Sequence, residues 1–149
     1  MEFNREIKFR IWAESDEHPK GKMYDSEFYI NQHGNVVKGK QLDHFHYKLH
    51  FARIAHNNIQ IMQFTGVQDM TQKDVFEGDI VKWTWAGYEH IKYFGLVVFE
   101  NGAFVSERIN GFNERQLLRP YDSDGGTYMF EIVGNVFENR KLLKKISER

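Results

Sequence analysis

Apolar and polar residues alternate along much of this chain, and a period of two is the mark of a strand with one buried face. Ile7, Phe9 and Ile11 alternate with Glu6, Lys8 and Arg10, and Pro19 and Gly21 mark a turn before Met23 and Tyr24. That pattern predicts an opening hairpin. Phe28-Tyr29-Ile30 is a second apolar run, closed by Asn31-Gln32-His33-Gly34-Asn35 and answered by Val36-Val37 as a return strand. From Leu42 to Phe51, strand geometry puts Phe45, Tyr47, Leu49 and Phe51 on one face and His44, His46, Lys48 and His50 on the other. Arg53-Ile54-Ala55 reads as a short helical turn, and Asn57-Asn58 separates this part from the next.

A second series of strands starts with Ile59 and Ile61. Gly66 and Gly78 stand where the chain needs a positive φ or a sharp reversal, and Asp79 is placed to cap the turn at Gly78. Val81, Trp83 and Trp85 then share a face, Ala86-Gly87 interrupts, and Leu96 to Phe99 continues. Asn101-Gly102 is a strong type I′ hairpin signal before Ala103-Phe104-Val105. Arg119 to Thr127, with Pro120, Gly125 and Gly126, reads as a surface loop, and Tyr128 to Val133 as a last strand. Asn139 is placed to cap a short helix with Leu142, Leu143 and Ile146 near one face and Lys144 and Lys145 at its C-terminal end. The word Val-Phe-Glu recurs at Val75, Val98 and Val136 at unequal spacings, a strand-to-turn grammar rather than a repeat.

The pattern as a whole predicts a mainly β fold. Its body is a bent antiparallel meander forming a small SH3-like barrel from about Ile59, with additional N-terminal strands and a short C-terminal helix. Residues 1–149 read as a single domain, or as two packed lobes over 1–57 and 58–149.

Composition narrows the function classes. Among 149 residues, 13 Phe and 7 Tyr must fill much of the core, which suits strands. A formal net charge of -1 removes the general attraction to phosphate backbones that nucleic-acid binders display. The absence of Cys excludes disulfides, thiolate zinc sites and cysteine nucleophiles, and it fits a reducing cytoplasm. Met1-Glu2-Phe3-Asn4-Arg5 lacks an apolar signal core, and no run approaches the ~20 residues of a membrane span. A soluble protein of the cytoplasm, without a membrane partner, is the expectation.

Each constellation that could carry chemistry has a plainer reading. His44 and His46 point the same way on a strand and could share a metal ion, with His50, His56, His90 or a carboxylate as a third ligand. Two ligands are not a site, and a solvated strand face is the better reading. Asp122, Asp124, Gly125 and Glu131 fall at positions of a calcium loop, but Pro120 occupies the first position and a strand follows where a helix is required. Glu77 and Asp79 flank Gly78 in one turn and lack the contrasting environments of an acid–base pair. No nucleophile, phosphate-loop, dinucleotide or zinc-protease motif occurs, so the expectation is a non-enzyme with no catalytic, cofactor-binding or metal residues and no cofactor. Trp83, Trp85, Tyr88, Tyr93 and Phe94, interleaved with Lys82 and Lys92, resemble a stacking platform for single strands. Packing of Trp83 and Trp85 with Val81 in a core is the stronger reading, and Lys141, Lys144 and Lys145 read as a solvated helix face.

Four blocks resemble the YopX family, found mainly in phages and prophages of Gram-positive bacteria. They are Lys8-Phe9-Arg10-Ile11-Trp12 with Lys22-Met23-Tyr24, the segment Gln63 to Val81, Gly95-Leu96-Val97-Val98, and Ile132 to Asn139 with Leu142-Leu143. This chain reads Met70-Thr71-Gln72-Lys73-Asp74 where the family's loop usually resembles Lys-Asn-Gly-Lys-Glu, so the glycine on which a tight hairpin there would rest is lost. Arg140 stands where a proline is common. The resemblance implies fold and origin rather than an activity. It leads to the expectation of a phage or prophage accessory protein acting through contacts with phage or host proteins, or as a homo-oligomer. The alternative is a small-barrel nucleic-acid-binding module.

Overall fold

The computed structural model describes residues 6–14, 17–26, 28–30, 32–33, 36–38, 40–41, 47–48, 59–87, 93–109, 114–119 and 128–148. The chain forms two compact units, one of Phe9–Ile61 and one of Met1–Lys8 with Met62–Arg149. Its architecture is mainly β, with antiparallel strands and one short C-terminal helix.

In the smaller unit, β1 (Phe9–Ala13) and β2 (Lys22–Tyr24) form the opening hairpin, with Ile11 opposite Tyr24 and Trp12 opposite Met23. Ile11, Trp12 and Ala13 are buried. The Trp12 indole occupies the place a side chain at residue 21 would need, since a Cβ on Gly21 would lie 2.2 Å from the ring. β3 (Phe28–Ile30) pairs with β4 (Val36–Lys38), as the apolar runs predict. β5 (Lys40–Gln41) pairs with β6 (Tyr47–Lys48). The rest of the strand predicted over Leu42 to Phe51, and the turn at Arg53-Ile54-Ala55, lie outside the described residues.

The larger unit contains β7 (Ile59–Gln68) from Met62 onward, β8 (Asp74–Phe76), β9 (Asp79–Trp85), β10 (Tyr93–Glu100), β11 (Ala103–Arg108), β12 (Arg115–Leu117), β13 (Tyr128–Asn135) and α1 (Arg140–Ser147). Five of these strands make one antiparallel sheet in the order β12-β11-β10-β9-β13, curled into a half-barrel. The meander β9-β10-β11-β12 is sequential, and the last strand returns beside the first. Register then decides which side chains meet. Val81 faces Gly95 and Ile132, Trp83 faces Tyr93 and Phe130, and Val97 faces Ser106. Alternation puts this set on one face, and Val75, Val81, Trp83, Val97, Leu118 and Phe130 form its buried cluster. Trp83 and Phe130 are in tilted contact at 5.0 Å between ring centres.

The turns follow the residues that can make them. Asn101 and Gly102 have φ of 52° and 82°, both in the left-handed region a type I′ hairpin requires. Gly66, at φ 84°, sits where the β7–β8 register shifts between Phe64 and Gln68. The β7–β8 turn is tight although it has no glycine: Gln72 itself adopts φ 65°, and its N–H reaches the Asp69 carbonyl at 2.9 Å. At the next turn Gly78 has φ 79°, its N–H bonds the Val97 carbonyl at 2.8 Å, and its carbonyl accepts from Val136 N–H at 3.0 Å. A Cβ there would lie 3.2 Å from the Phe137 ring.

The C-terminal helix corrects one expectation. Asn139 occupies the N-cap position, but its side chain makes no cap hydrogen bond. Its Oδ1 accepts from Asn135 N–H at 3.0 Å, and only its backbone carbonyl serves the helix, accepting from Leu142 and Leu143. The backward bond wins because Asn135 ends β13 in a buried position where an unmet N–H is costly, whereas the helix N–H groups have solvent. Ile146 anchors the helix as a buried residue, and Lys144 and Lys145 lie in its last turn.

Two substitutions at left-handed positions are expected to act in opposite directions. Gly78→Ala should lower stability by about 1–2 kcal/mol, because a Cβ is disfavoured at that φ and meets Phe137. Gln72→Gly should raise it by up to about 1 kcal/mol by relieving the same penalty. Paired denaturant melts check both signs.

Candidate functional site

The buried polar groups of the larger unit are engaged in hydrogen bonds that hold its turns. Asp69 is 2% exposed. Its Oδ1 accepts from Thr71 N–H at 2.8 Å, Thr71 Oγ1–H at 2.7 Å and Lys73 N–H at 3.0 Å, and its Oδ2 accepts from Ile132 N–H at 3.0 Å. Burial alone would raise its pKa. The hydrogen bonds from Ile132, Thr71 and Lys73 outweigh that and hold the carboxyl below the usual aspartate value of 3.8. Asp79, 1% exposed, caps its turn as predicted by accepting from Phe76 N–H at 2.9 Å, while Glu77 accepts from Gln63 N–H at 2.9 Å. The two carboxylates that flank Gly78 are thus committed to separate backbone donors. Asn135 accepts from Phe137 and Glu138 N–H and donates to the Glu138 carboxylate at 2.7 Å.

The inner face of the half-barrel holds a different arrangement. Beyond Trp83 the apolar cluster gives way to a recess lined by Trp85, Tyr93, Gly95, Ser106, Arg108 and Gln116, together with Glu114 at its rim. Register explains the set, since Gly95 faces Arg108 and Ser106 faces Gln116 across neighbouring ladders. Trp83 Nε1–H donates to Ser106 Oγ at 2.8 Å, a buried bond between core and recess. Gly95 makes room for it, because a Cβ there would fall 1.9 Å from that oxygen. The Arg108 guanidinium lies 4.2 Å from the centre of the Tyr93 ring, and its Nη1 donates to Glu114 at 2.9 Å. Tyr93 in turn meets Trp85 edge-on, at 4.5 Å and 83°.

The aromatic run therefore divides. Trp83, 5% exposed, belongs to the core, and Trp85 lines the recess as a half-buried ring, so the reading that made both indoles core holds for one of them. Tyr88 and Lys92 lie outside the described residues, as do His44, His46, His50, His56 and His90 and the loop carrying Asp122, Asp124 and Gly125. Lys82 is paired with Glu131 at 3.2 Å. Lys141, Lys144 and Lys145 are exposed on the helix. Among the described residues, no cluster of three or more His, Cys, Asp or Glu could hold a metal ion, and no helix is long and apolar enough to cross a membrane. Arg108 and Ser106 went unnoticed in the sequence. Their shared two-residue spacing with Phe104 on β11 is a signal only once the register of that strand is known.

The pattern of the family described as YopX protein matches residues 8–144. This chain belongs to the YopX family. Two solved structures share its fold: protein EF1440 from Enterococcus faecalis, 20% identical, with a TM-score of 0.57 over 93% of this chain and 98% of that one, and protein yopX from Bacillus subtilis, 14% identical, with a TM-score of 0.57 over 91% and 95%. No functionally curated protein matches the chain. Two of the four family blocks, Gln63 to Val81 and Ile132 to Asn139, prove to be the hydrogen-bonded turns just described, which meet through Asp69 and Ile132 and through Gly78 and Val136. YopX-family membership is thus legible in the turns that hold this fold.

Asp69→Ala should cost about 2–4 kcal/mol by leaving several backbone donors without an acceptor. Because the folded carboxyl titrates below its unfolded value, its stabilisation is present above that value and is lost as pH falls through about 3.8 and below. Acid-titrated melts should accordingly show a shallower loss for Asp69→Asn than for the parent in that window. For the rings, Trp83→Ala should cost about 3–5 kcal/mol and Trp85→Ala less than about 2 kcal/mol, measured by denaturant unfolding.

Proposed function

We propose that this chain is a non-enzymatic phage or prophage accessory protein that works through protein contacts, the first of them with a second copy of itself. The observation that carries this reading is an apolar row on the outer face of the five-stranded sheet. Val98 faces Val105, and Val105 faces Leu117, so one row crosses β10, β11 and the edge strand β12. Leu117 is 50% exposed at the end of that row. Charges of both signs border the row. Arg115 reaches Glu100 at 2.5 Å and Glu107 at 3.4 Å, which places its guanidinium across the apolar side chains.

An apolar centre framed by Arg and Glu has the composition of a contact surface. Because the frame carries both signs and the chain a net charge of only -1, two copies meet without net repulsion, as a two-fold interface requires. The same observations count against the nucleic-acid alternative. Lys82 is paired, and one indole of the supposed platform is core. Commitment of Glu77, Asp79 and Asp69 to backbone donors supports the non-enzymatic part of the reading.

Sedimentation velocity at tens of micromolar protein tests the contact. The parent should sediment as an assembly, and Leu117→Asp should sediment as a monomer with an unchanged circular dichroism spectrum. A parent that stays monomeric across that range, or a Leu117→Asp variant that assembles like the parent, would overturn the self-contact.

A further inference from the structure

The two edges of the five-stranded sheet differ in their backbone groups. At β13 the outward groups are taken: Ile132 N–H goes to Asp69, and the Phe130 carbonyl accepts from Met70 N–H. At β12 they are open. Arg108 N–H donates to the Glu114 carbonyl at 2.9 Å and Leu118 N–H to the Phe104 carbonyl at 3.4 Å, two positions to either side of the Ser106–Gln116 pair. Backbone groups alternate in direction along an antiparallel ladder, so Glu114, Gln116 and Leu118 turn theirs to β11 while Arg115 and Leu117 turn theirs away from it. Among the described residues no strand lies beyond β12, and no hydrogen bond takes the outward N–H and C=O of Arg115 and Leu117.

Open edges are commonly guarded by a charge held over them, a proline or a bulge. Here the charge is drawn aside. Arg115 runs back across β11 to Glu107 and on to Glu100 of β10, so its guanidinium lies over the sheet and not over the edge. Leu117, half exposed, has Val105 on one flank and no strand neighbour on the other. The edge is thus complementary to itself. Set antiparallel to a second copy about a two-fold axis at Gln116, Arg115 of each copy exchanges backbone hydrogen bonds with Leu117 of the other. The same register lays the aliphatic stem of each Arg115 against the open flank of the other copy's Leu117. The two guanidiniums are diagonal rather than opposite, and each is already matched by carboxylates of its own chain.

We infer that β12 is the strand through which two copies of this chain join, pairing antiparallel about Gln116 to make one continuous sheet. The inference rests on the self-contact reading and gives it a geometry, edge to edge instead of face on face. So short a strand buries little surface, which makes the contact weak and dependent on concentration. An aspartate at 117 opposes it too, because it would add a third carboxylate beside the Glu100 and Glu107 that surround Arg115.

The chain has no Cys, so a single introduced cysteine reports on its own position. Gln116 and its counterpart form a non-hydrogen-bonded pair with Cα atoms about 4.5 Å apart, inside the roughly 4.4–6.8 Å that a disulfide spans. Gln116→Cys should therefore oxidise to a covalent dimer at tens of micromolar protein. Val105→Cys, on the outer row and three strand spacings from its counterpart, should run as a monomer on a gel without reductant. The parent itself supplies a second readout, amide exchange followed by nuclear magnetic resonance. Exchange at Arg115 and Leu117 should slow by roughly tenfold once about nine-tenths of the chains are paired, while Gly102 in the β10–β11 turn keeps its rate. Val105→Cys cross-linking faster than Gln116→Cys, or an assembled parent whose Arg115 and Leu117 amides exchange at the monomer rate, overturns the edge pairing and leaves the self-contact to the outer row. A parent that stays monomeric overturns both.

Discussion

A single buried carboxylate holds the larger unit in register. One oxygen of Asp69 gathers Thr71 and Lys73 and so closes the β7–β8 hairpin, and the other takes the Ile132 amide and pins that hairpin to β13. Met70 N–H to the Phe130 carbonyl, at 3.0 Å, adds a second tie between the same segments. A buried charge is expensive in itself, and only the number of donors turned toward it makes the ionised form the stable one. Asparagine would present an amide nitrogen where one of those donors must be met. With the hairpin fixed, Val75 is carried into the cluster of Val81, Trp83 and Val97, so the apolar core depends on a polar knot at its edge.

The same logic runs on through the turns. Asp79 closes the approach to Gly78, Gly78 bonds both Val97 and Val136, and Asn135 and Asn139 fasten the chain where β13 ends and the helix begins. The two Gly78 bonds join segments far apart in the chain, and the others close the turns locally. They explain why words such as Phe-Glu-Gly-Asp and Gly-Asn-Val-Phe-Glu-Asn identify a family without naming a reaction: Glu77, Gly78, Asp79, Asn135 and Asn139 in them each satisfy a backbone group that would otherwise go unmet. A side chain that already accepts two or more backbone donors has little capacity left for a substrate.

Legibility in the sequence tracked how local the cause was. Asn101-Gly102 could be read directly because a type I′ turn demands two left-handed residues in succession, and strand alternation showed the shared face of Val81, Trp83 and Trp85. Gln72 could not be read, since its φ of 65° is imposed by the Asp69 cage around it rather than chosen by the residue. Asn139 was placed at the right position with the wrong bond, because the competing donor, Asn135 N–H, becomes buried only through tertiary packing. The separate fates of Trp83 and Trp85 depend on where the sheet's apolar cluster stops, which alternation alone does not tell. The recess was invisible for the same reason, as it is assembled from β9, β10, β11 and β12 across three ladders.

Strand β11 shows how little chain is needed to build two surfaces of opposite character. Val105 and Glu107 turn outward to the apolar row and its Arg115 roof, while Ser106 and Arg108 turn inward to the recess. Between them the backbone is shared, so the two faces are coupled in position but independent in chemistry. Gly95 completes the inner face by what it omits: with any side chain there, Ser106 Oγ would be displaced, the Trp83 indole would lose its acceptor, and a polar group would be stranded in the core. The recess is therefore polar for a structural reason: its serine is the acceptor that the core indole requires.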